Sequence, residues 1–370
     1  MPARRTVISS HYKKRLASYR AGMKKAKVRA CLITNRADHI YLTGFTGEDS
    51  AALITASSVW IITDRRFENE AENEAPWARI RFRRGQLTDE VATTARGAGI
   101  RQLALQAEHV STSDRKAFAA ALRGAKLSDD APSVNAFRAI KDAHERKLID
   151  RAIRIAEQAF RATVKTIRIG QTELELAARL EYEMKRRGSQ QPAFNTIVAI
   201  DANSALPHAQ PGKREVRKGC SILFDWGATN QFYRSDLTRK IFVNSIRPAM
   251  APVYDAVLTA QRRAIKAIRP GVRMCDVDGV ARKSIAAAGF GDRFTHGLGH
   301  GIGLDIHEAP SLSWRSDKPL KSGMVVTVEP GVYLPGVGGV RIEDDVLVTR
   351  SGATVLSRLG KTRRTALIKL

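Results

Sequence analysis

The sequence predicts an α/β domain over about the first 130 residues, followed by a larger α+β domain. Three observations carry this. The chain has 370 residues, more than one hydrophobic core normally serves. Short β-rich runs alternate with helical patterns up to about residue 130. After that, helices followed by β-hairpin material carrying carboxylates are read twice in succession. The polar segment DDAPSVN (129–135), broken by Pro132, is the expected linker, which places the domains at 1–132 and 133–370.

In the first domain, Tyr12, Leu16, Tyr19 and Met23 recur at spacings of four, three and four, the apolar stripe of an amphipathic helix that should cap a sheet. VRACLIT (28–34), SSVWIIT (57–63) and RQLALQ (101–106) are bounded by turn residues and read as strands. STSDRKAFAAALRGA (111–125) offers N-cap residues, then a helical pattern ending at Gly124.

The second domain opens with a long helical segment over 139–167, in which Ile140, Leu148, Ile153, Ala156, Phe160, Val164 and Ile167 share a broad face. The helix at 172–188 begins with a capping box, Thr172 and Glu175, and closes at Gly188. Strands are expected at 194–200, 220–228 and 238–244, helices at 248–268, with Pro248 near its start, and at 276–289. The chain ends in β-rich MVVTVEPGVYL (324–334) and GVRIEDDVLVT (339–349).

Composition narrows the function. Hydrophobic residues make up 43%, which suits a packed core and argues against disorder. No apolar run approaches the ~20 residues of a membrane-spanning helix, and no apolar stretch of the signal-peptide kind follows the basic N-terminus. Cys31, Cys220 and Cys275 are odd in number and far apart, so neither a disulfide framework nor a thiolate metal site is expected, and a reducing cytoplasm fits. The net charge is +25, a balance that could serve nucleic acid or an anionic membrane. Residues 1–30 hold ten Lys or Arg and no acid. The remaining positive charge is dispersed, without aromatic interleaving, so a solvated basic surface is expected rather than nucleic-acid binding.

Chemistry concentrates in HGLGHGIGLDIHEAP (296–310), with three of the eight histidines, and glycines at 297, 299, 301 and 303. Those glycines permit positive φ or close backbone approach, and His300 is the best-placed metal ligand of the three. The segment alone fits a glycine-rich turn equally well. The carboxylates decide: Asp225, Asp236, Glu329 and Glu343 each stand at the edge or end of an apolar strand, where charges stay buried only if paired or metal-bound. Asp236 follows Asp225 by eleven residues, so a hairpin would bring the two together. Four carboxylates and an imidazole suit Mn²⁺, Co²⁺ or Zn²⁺, and two ions ~3.5–4 Å apart would accommodate that many acids better than one.

Other motifs fail. HEAPS (307–311) has Ser311 where HExxH needs histidine, and Pro310 forbids a regular helix. GKT (360–362) has Val355 where a phosphate loop needs its first glycine. The glycines of 297–303 lack dinucleotide-site spacing.

The second domain resembles the catalytic domain of the pita-bread metallopeptidases, on ANSALPHAQPG (202–212), FDWGA (224–228), YRSDLTRKIFV (233–243), THGLGHGIGLDIHEAP (295–310), VVTVEPGVY (325–333) and GVRIEDDVLV (339–348). YLTGFTGEDSAALIT (41–55) and FRAIKDAHE (137–145) extend the likeness to nearly the whole chain, which resembles the aminopeptidase P and prolidase group, with a creatinase-like first domain. The resemblance implies two divalent ions, Mn²⁺ foremost. Asp236 and Glu343 would bridge them, Asp225 would hold one, and His300 with Glu329 would complete the other. It makes Glu329 a general base, has His307 stabilise the oxyanion with His208 assisting, and sets His296, Tyr333 and Arg341 along the substrate. The implied reaction removes the residue ahead of proline or splits Xaa-Pro dipeptides, so peptides with proline second are the expected partners, and a homodimer is expected. Creatinase-type amidinohydrolase activity would not need the five ligands. A non-catalytic scaffold for nucleic acid or ribosomes would be free to lose them. Methionine aminopeptidase is disfavoured by the first domain.

Overall fold

The structure, a computed structural model, describes residues 9–370; the basic stretch 1–8 lies outside the described residues. The chain divides into two compact units, Met1–Arg138 and Ala139–Leu370. This boundary falls six residues beyond the one expected at 132/133. The reason is a short helix, Val134–Arg138, that folds with the first unit: Phe137 sets its ring edge against Tyr19, and Arg138 Nη1 meets Asp38 Oδ1 at 2.8 Å with both side chains buried.

The first unit is built on a six-stranded mixed sheet, in the order Arg79–Phe82, Val59–Thr63, Ala51–Thr55, Ala30–Ile33, Gln102–Leu105, Lys126–Ser128. Its core is Leu32, Leu53, Ile62, Val91, Leu105 and Phe118. The three expected strands are present, slightly shorter than their apolar runs. Ala51–Thr55, Arg79–Phe82 and Lys126–Ser128 were not expected as strands. Arg79–Phe82 is an edge strand whose arginines point to solvent, the charged device that blocks edge pairing and also hides a strand from a hydrophobicity reading. The helix Ser10–Lys25 buries Leu16, Tyr19 and Met23 of the expected stripe and leaves Tyr12 half-buried, packing on the helices Arg36–Thr43 and Val134–Arg138.

The second unit repeats one plan twice. In its first half the helices Ala143–Val164 and Glu173–Arg186 pack together and lie over a four-stranded sheet ordered Leu367–Ile368, Leu237–Val243, Ser221–Trp226, Ile197–Ile200. Phe160 stacks on Trp226 at 4.4 Å, and the indole N–H donates to Ala156 O at 3.0 Å. In its second half the helices Ala251–Ala267 and Met274–Ala287 pack over a five-stranded sheet ordered Glu308–Leu312, Gly299–Gly301, Val325–Val328, Asp344–Val348, Ala353–Val355. A two-stranded ribbon, Gly331–Leu334 with Gly338–Arg341, completes it.

Capping boxes open both helices of the first half: Thr172 with Glu175 as expected, and also Asp142 with Glu145. The second one corrects the expected helix at 139–167. Asp142 caps the helix at Ala143, so Ile140 is not on its apolar face; it forms an isolated bridge with Met324 and is 45% exposed. The helix expected at 248–268 likewise starts later, at Ala251, with Pro252 rather than Pro248 in its first turn. Among the described residues no helix is long and apolar enough to cross a membrane, and all three cysteines are free.

Candidate metal centre and active site

The acids and the histidine reach one place because strand ends from both halves of the second unit meet there. Ser221–Trp226 and Leu237–Val243 are antiparallel, with Asp225 opposite Thr238. Asp236 stands one residue ahead of its strand, and its N–H donates to Asp345 Oδ2 at 3.2 Å. Glu343 lies between Gly338–Arg341 and Asp344–Val348. Thr238 ties it to the first half at two points: the Glu343 N–H donates to Thr238 O at 3.2 Å, and Thr238 Oγ1 donates to Glu343 Oε2 at 2.7 Å. Glu329 follows Val325–Val328 directly, with its N–H on Leu298 O. His300 sits mid-strand in Gly299–Gly301, and its N–H donates to Thr327 Oγ1 at 3.0 Å.

The glycines around His300 work by close approach. None of 297, 299, 301 and 303 has positive φ. A Cβ on Gly299 would collide with Thr327 O, and one on Gly301 with Ala309 O. The segment is therefore a strand drawn tightly between two others, not a left-handed turn.

His300 Nε2 lies 3.6 Å from Asp236 Oδ2 and 3.4 Å from Glu329 Oε1. One ligand atom each from Asp236, His300 and Glu343 falls within a 4.8 Å set. The ring's Nδ1 donates to Gly301 O at 3.1 Å, which turns Nε2 toward the acids. Asp225 is not in that trio. Its Oδ2 takes a 2.6 Å contact from Arg341 Nη2, while Oδ1 is buried without a hydrogen-bond partner.

Burial, followed by the charge of Glu343, raises the Asp236 carboxyl well above its ordinary range. Burial, then Glu329, does the same to Glu343. Glu329 is pushed up to about 8, chiefly by burial. Burial, aided by His307, brings His300 down to about 3, so its ring is neutral and its lone pair available. Several buried acids that raise one another, an orphaned Asp225 Oδ1 and a neutral imidazole aimed among them are the donor set of a divalent-cation site.

The acids floor a cleft of ≈ 700 Å³, lined also by Phe194, Ile197, His208, His307 and Trp314. His307 stands with its ring 4.2 Å from that of His300, and burial lowers its pKa. His296 Nε2, Tyr333 OH and Arg341 Nη1 form a chain with steps of 2.9 and 2.8 Å. Burial with the nearby Arg341 charge takes His296 down to about 4, and burial raises Tyr333 to about 12. His208 is exposed on the cleft wall.

Sequence reasoning missed Thr238, Thr327 and Asp345, which orient Glu343, His300 and Asp236 through the hydrogen bonds above. A signal for them existed. Each lies two residues from a singled-out acid, Asp236, Glu329 or Glu343, and side chains two apart on an extended strand share a face.

Residues 147–350 match the model of Metallopeptidase family M24, and residues 15–140 match the Creatinase/Prolidase N-terminal domain. Among solved structures, the chain is similar to an Xaa-Pro dipeptidase from Bacillus anthracis, with a TM-score of 0.91 and 36% identity over 97% of this chain and 100% of that one. It is also similar to an X-Pro aminopeptidase from Thermotoga maritima, with a TM-score of 0.87 and 38% identity over 95% and 100%. The Xaa-Pro dipeptidase of Pyrococcus furiosus is 45% identical over 227 residues, 61% of this chain and 64% of that protein.

Proposed function

Since the chain belongs to metallopeptidase family M24 and carries a creatinase/prolidase-type N-terminal domain in front of a pita-bread domain, we propose that it is a metal-dependent peptidase cleaving the bond between an N-terminal residue and a following proline. The observation that carries this reading is the convergence of Asp236, His300, Glu329 and Glu343 beneath the cleft. Neither creatinase-type chemistry nor an inert nucleic-acid scaffold gives a reason to keep that set.

Asp225, Asp236, His300, Glu329 and Glu343 would hold two divalent ions, Mn²⁺ first among the choices, a donor set that suits such cations. When bound, such ions activate a water and polarise the scissile carbonyl. Glu329 would take the proton from the attacking water at a carboxylate oxygen and later deliver it to the proline nitrogen. The neutral His307 ring donates one N–H to the developing oxyanion, with His208 beside it on the cleft wall. His296, Tyr333 and Arg341 form a fixed wall on the leaving-group side. Peptidases that grip the amide N–H of the second residue cannot use proline, which has none.

The test is metal-stripped protein refilled with Mn²⁺, Co²⁺ or Zn²⁺ and offered Ala-Pro, Met-Pro, a longer Xaa-Pro-Xaa peptide and Ala-Ala. Cation-dependent release of the first residue from the proline peptides, and not from Ala-Ala, is expected. Equal cleavage of Ala-Ala would overturn the proline assignment. Full activity after chelation would overturn the metal.

A further inference from the structure

His208 is exposed, yet the arm that carries it, residues 200–212, is pinned by two buried charged side chains outside the centre described above. The first is Glu173, fully buried at the start of its helix. Its carboxylate accepts from Ile200 N–H at 2.6 Å and Gly212 N–H at 2.8 Å, at the two ends of the arm, and from Asn203 Nδ2 between them.

The second is Lys240, on the strand that begins just after Asp236, 1% exposed and bonded through Nζ to Ser204 Oγ at 2.8 Å. That hydroxyl also donates to Asp201 O at 2.6 Å and accepts from Gly339 N–H at 2.9 Å. One oxygen thus joins the turn Asp201–Ala205 to the strands that carry Thr238 and Arg341. Arg341 Nη1 donates to Pro207 O at 3.3 Å, and Ala209 is buried against Ile197 and Leu223. His208 is thereby held from both sides while its own ring stays free for the cleft.

A buried lysine and a buried glutamate without a mutual ion pair are costly to keep. Burial brings Lys240 down to about 7; Asp201 and Cys220 pull the other way, and the Arg247 charge adds to the fall. Apolar side chains would fill either place with less penalty, so the charges answer to what they hold.

We propose that Glu173 and Lys240 are positioning residues that act through His208, clamping the 200–212 arm so that the imidazole meets the substrate at a fixed place. This rests on the proposed function insofar as His208 is a substrate-facing residue.

Lys240→Met keeps the length of the side chain and removes the ammonium. Ser204→Ala breaks the same link by losing only a hydroxyl, and reads it should Lys240→Met fail to fold. Glu173→Gln leaves one acceptor oxygen and turns an NH₂ toward Asn203 or Gly212. Hydrogen–deuterium exchange of the Mn²⁺-loaded protein should show amides in 200–212 exchanging about tenfold faster in each variant, with 293–310 unchanged. On Ala-Pro, kcat should fall about tenfold at wild-type metal content. In a His208→Ala background the same substitutions should change kcat by less than about twofold, because the residue they act through is gone.

Unchanged exchange in 200–212 would overturn the clamp. Tenfold losses persisting without His208 would overturn its route of action, as would wild-type kcat in the folded variants. A wild-type chain that leaves Xaa-Pro peptides intact would count instead against the proposed function, and the exchange measurement would still read the clamp.

Discussion

Asp236 is the residue on which most of the site's chemistry turns. It is buried, within 3.6 Å of His300 Nε2, and raised by Glu343, Asp225 and Glu329 once burial has acted. Asparagine keeps its size but loses the charge and one donor oxygen. Asp236→Asn should release at least one ion and lower kcat by several orders of magnitude while the fold persists, since the repulsion among the remaining acids eases. Elemental analysis beside an Xaa-Pro assay decides it, and two ions per chain with near-normal turnover would refute the shared-ligand role. His307 is the complementary case, a neutral ring beside His300 whose proposed oxyanion role needs no metal bond. His307→Ala should lower kcat by roughly 10²–10³ with metal content unchanged. Loss of metal in that variant would make it a ligand instead.

At the scale of the element, the strand Gly299–Gly301 shows how local sequence serves the site. It runs between Glu308–Leu312 and Val325–Val328, and the absence of side chains at 299 and 301 lets Thr327 O and Ala309 O come in against it. His300 is presented to the acids because its neighbours have no Cβ. Gly299→Ala would put a methyl into the Thr327 carbonyl and should destabilise the protein by at least about 1–3 kcal/mol, as overpacking does. Denaturant unfolding measures this; a wild-type midpoint would mean that the two strands can part without penalty. The glycine pattern was legible in the sequence, but its purpose was open between left-handed turns and close approach, and only the neighbouring strands select the second.

For the whole molecule, the metal-free protein should carry the strain of its acids as a pH dependence. A carboxyl raised in the folded state keeps a proton that the unfolded chain has released, so stability is present at low pH and falls as pH rises from the ordinary 4.5 through the folded value. Glu329 has a folded value of about 8, and Asp236 and Glu343 are raised in the same direction. Chelated protein should therefore melt at a lower temperature at pH 8 than at pH 6. Adding Mn²⁺ should cancel most of that difference, because ions bind the folded form and neutralise the acids. A melting temperature that does not fall with pH in the chelated protein would contradict the mutual repulsion.

The sequence by itself determined the two-part architecture, the twofold helix-then-hairpin plan of the second unit and the identity of the ligand candidates, because each is a local signal. Period-3.6 stripes, apolar runs and acids at strand ends are properties of neighbouring residues. It did not determine that the first unit extends through Val134–Arg138, which follows from Arg138 meeting Asp38 one hundred positions earlier. Nor did it reveal the strand Arg79–Phe82, whose alternating arginines hide its role at the sheet edge. Thr238 and Thr327 carried only their two-residue spacing from an acid, and the partners of Glu173 and Lys240 were out of reach, since a glutamate at a helix start or a lysine in an apolar strand carries no mark of what it will face. Pairing across the sheets assigns those partners, and burial then gives each hydrogen bond its weight by excluding the water that would otherwise replace it.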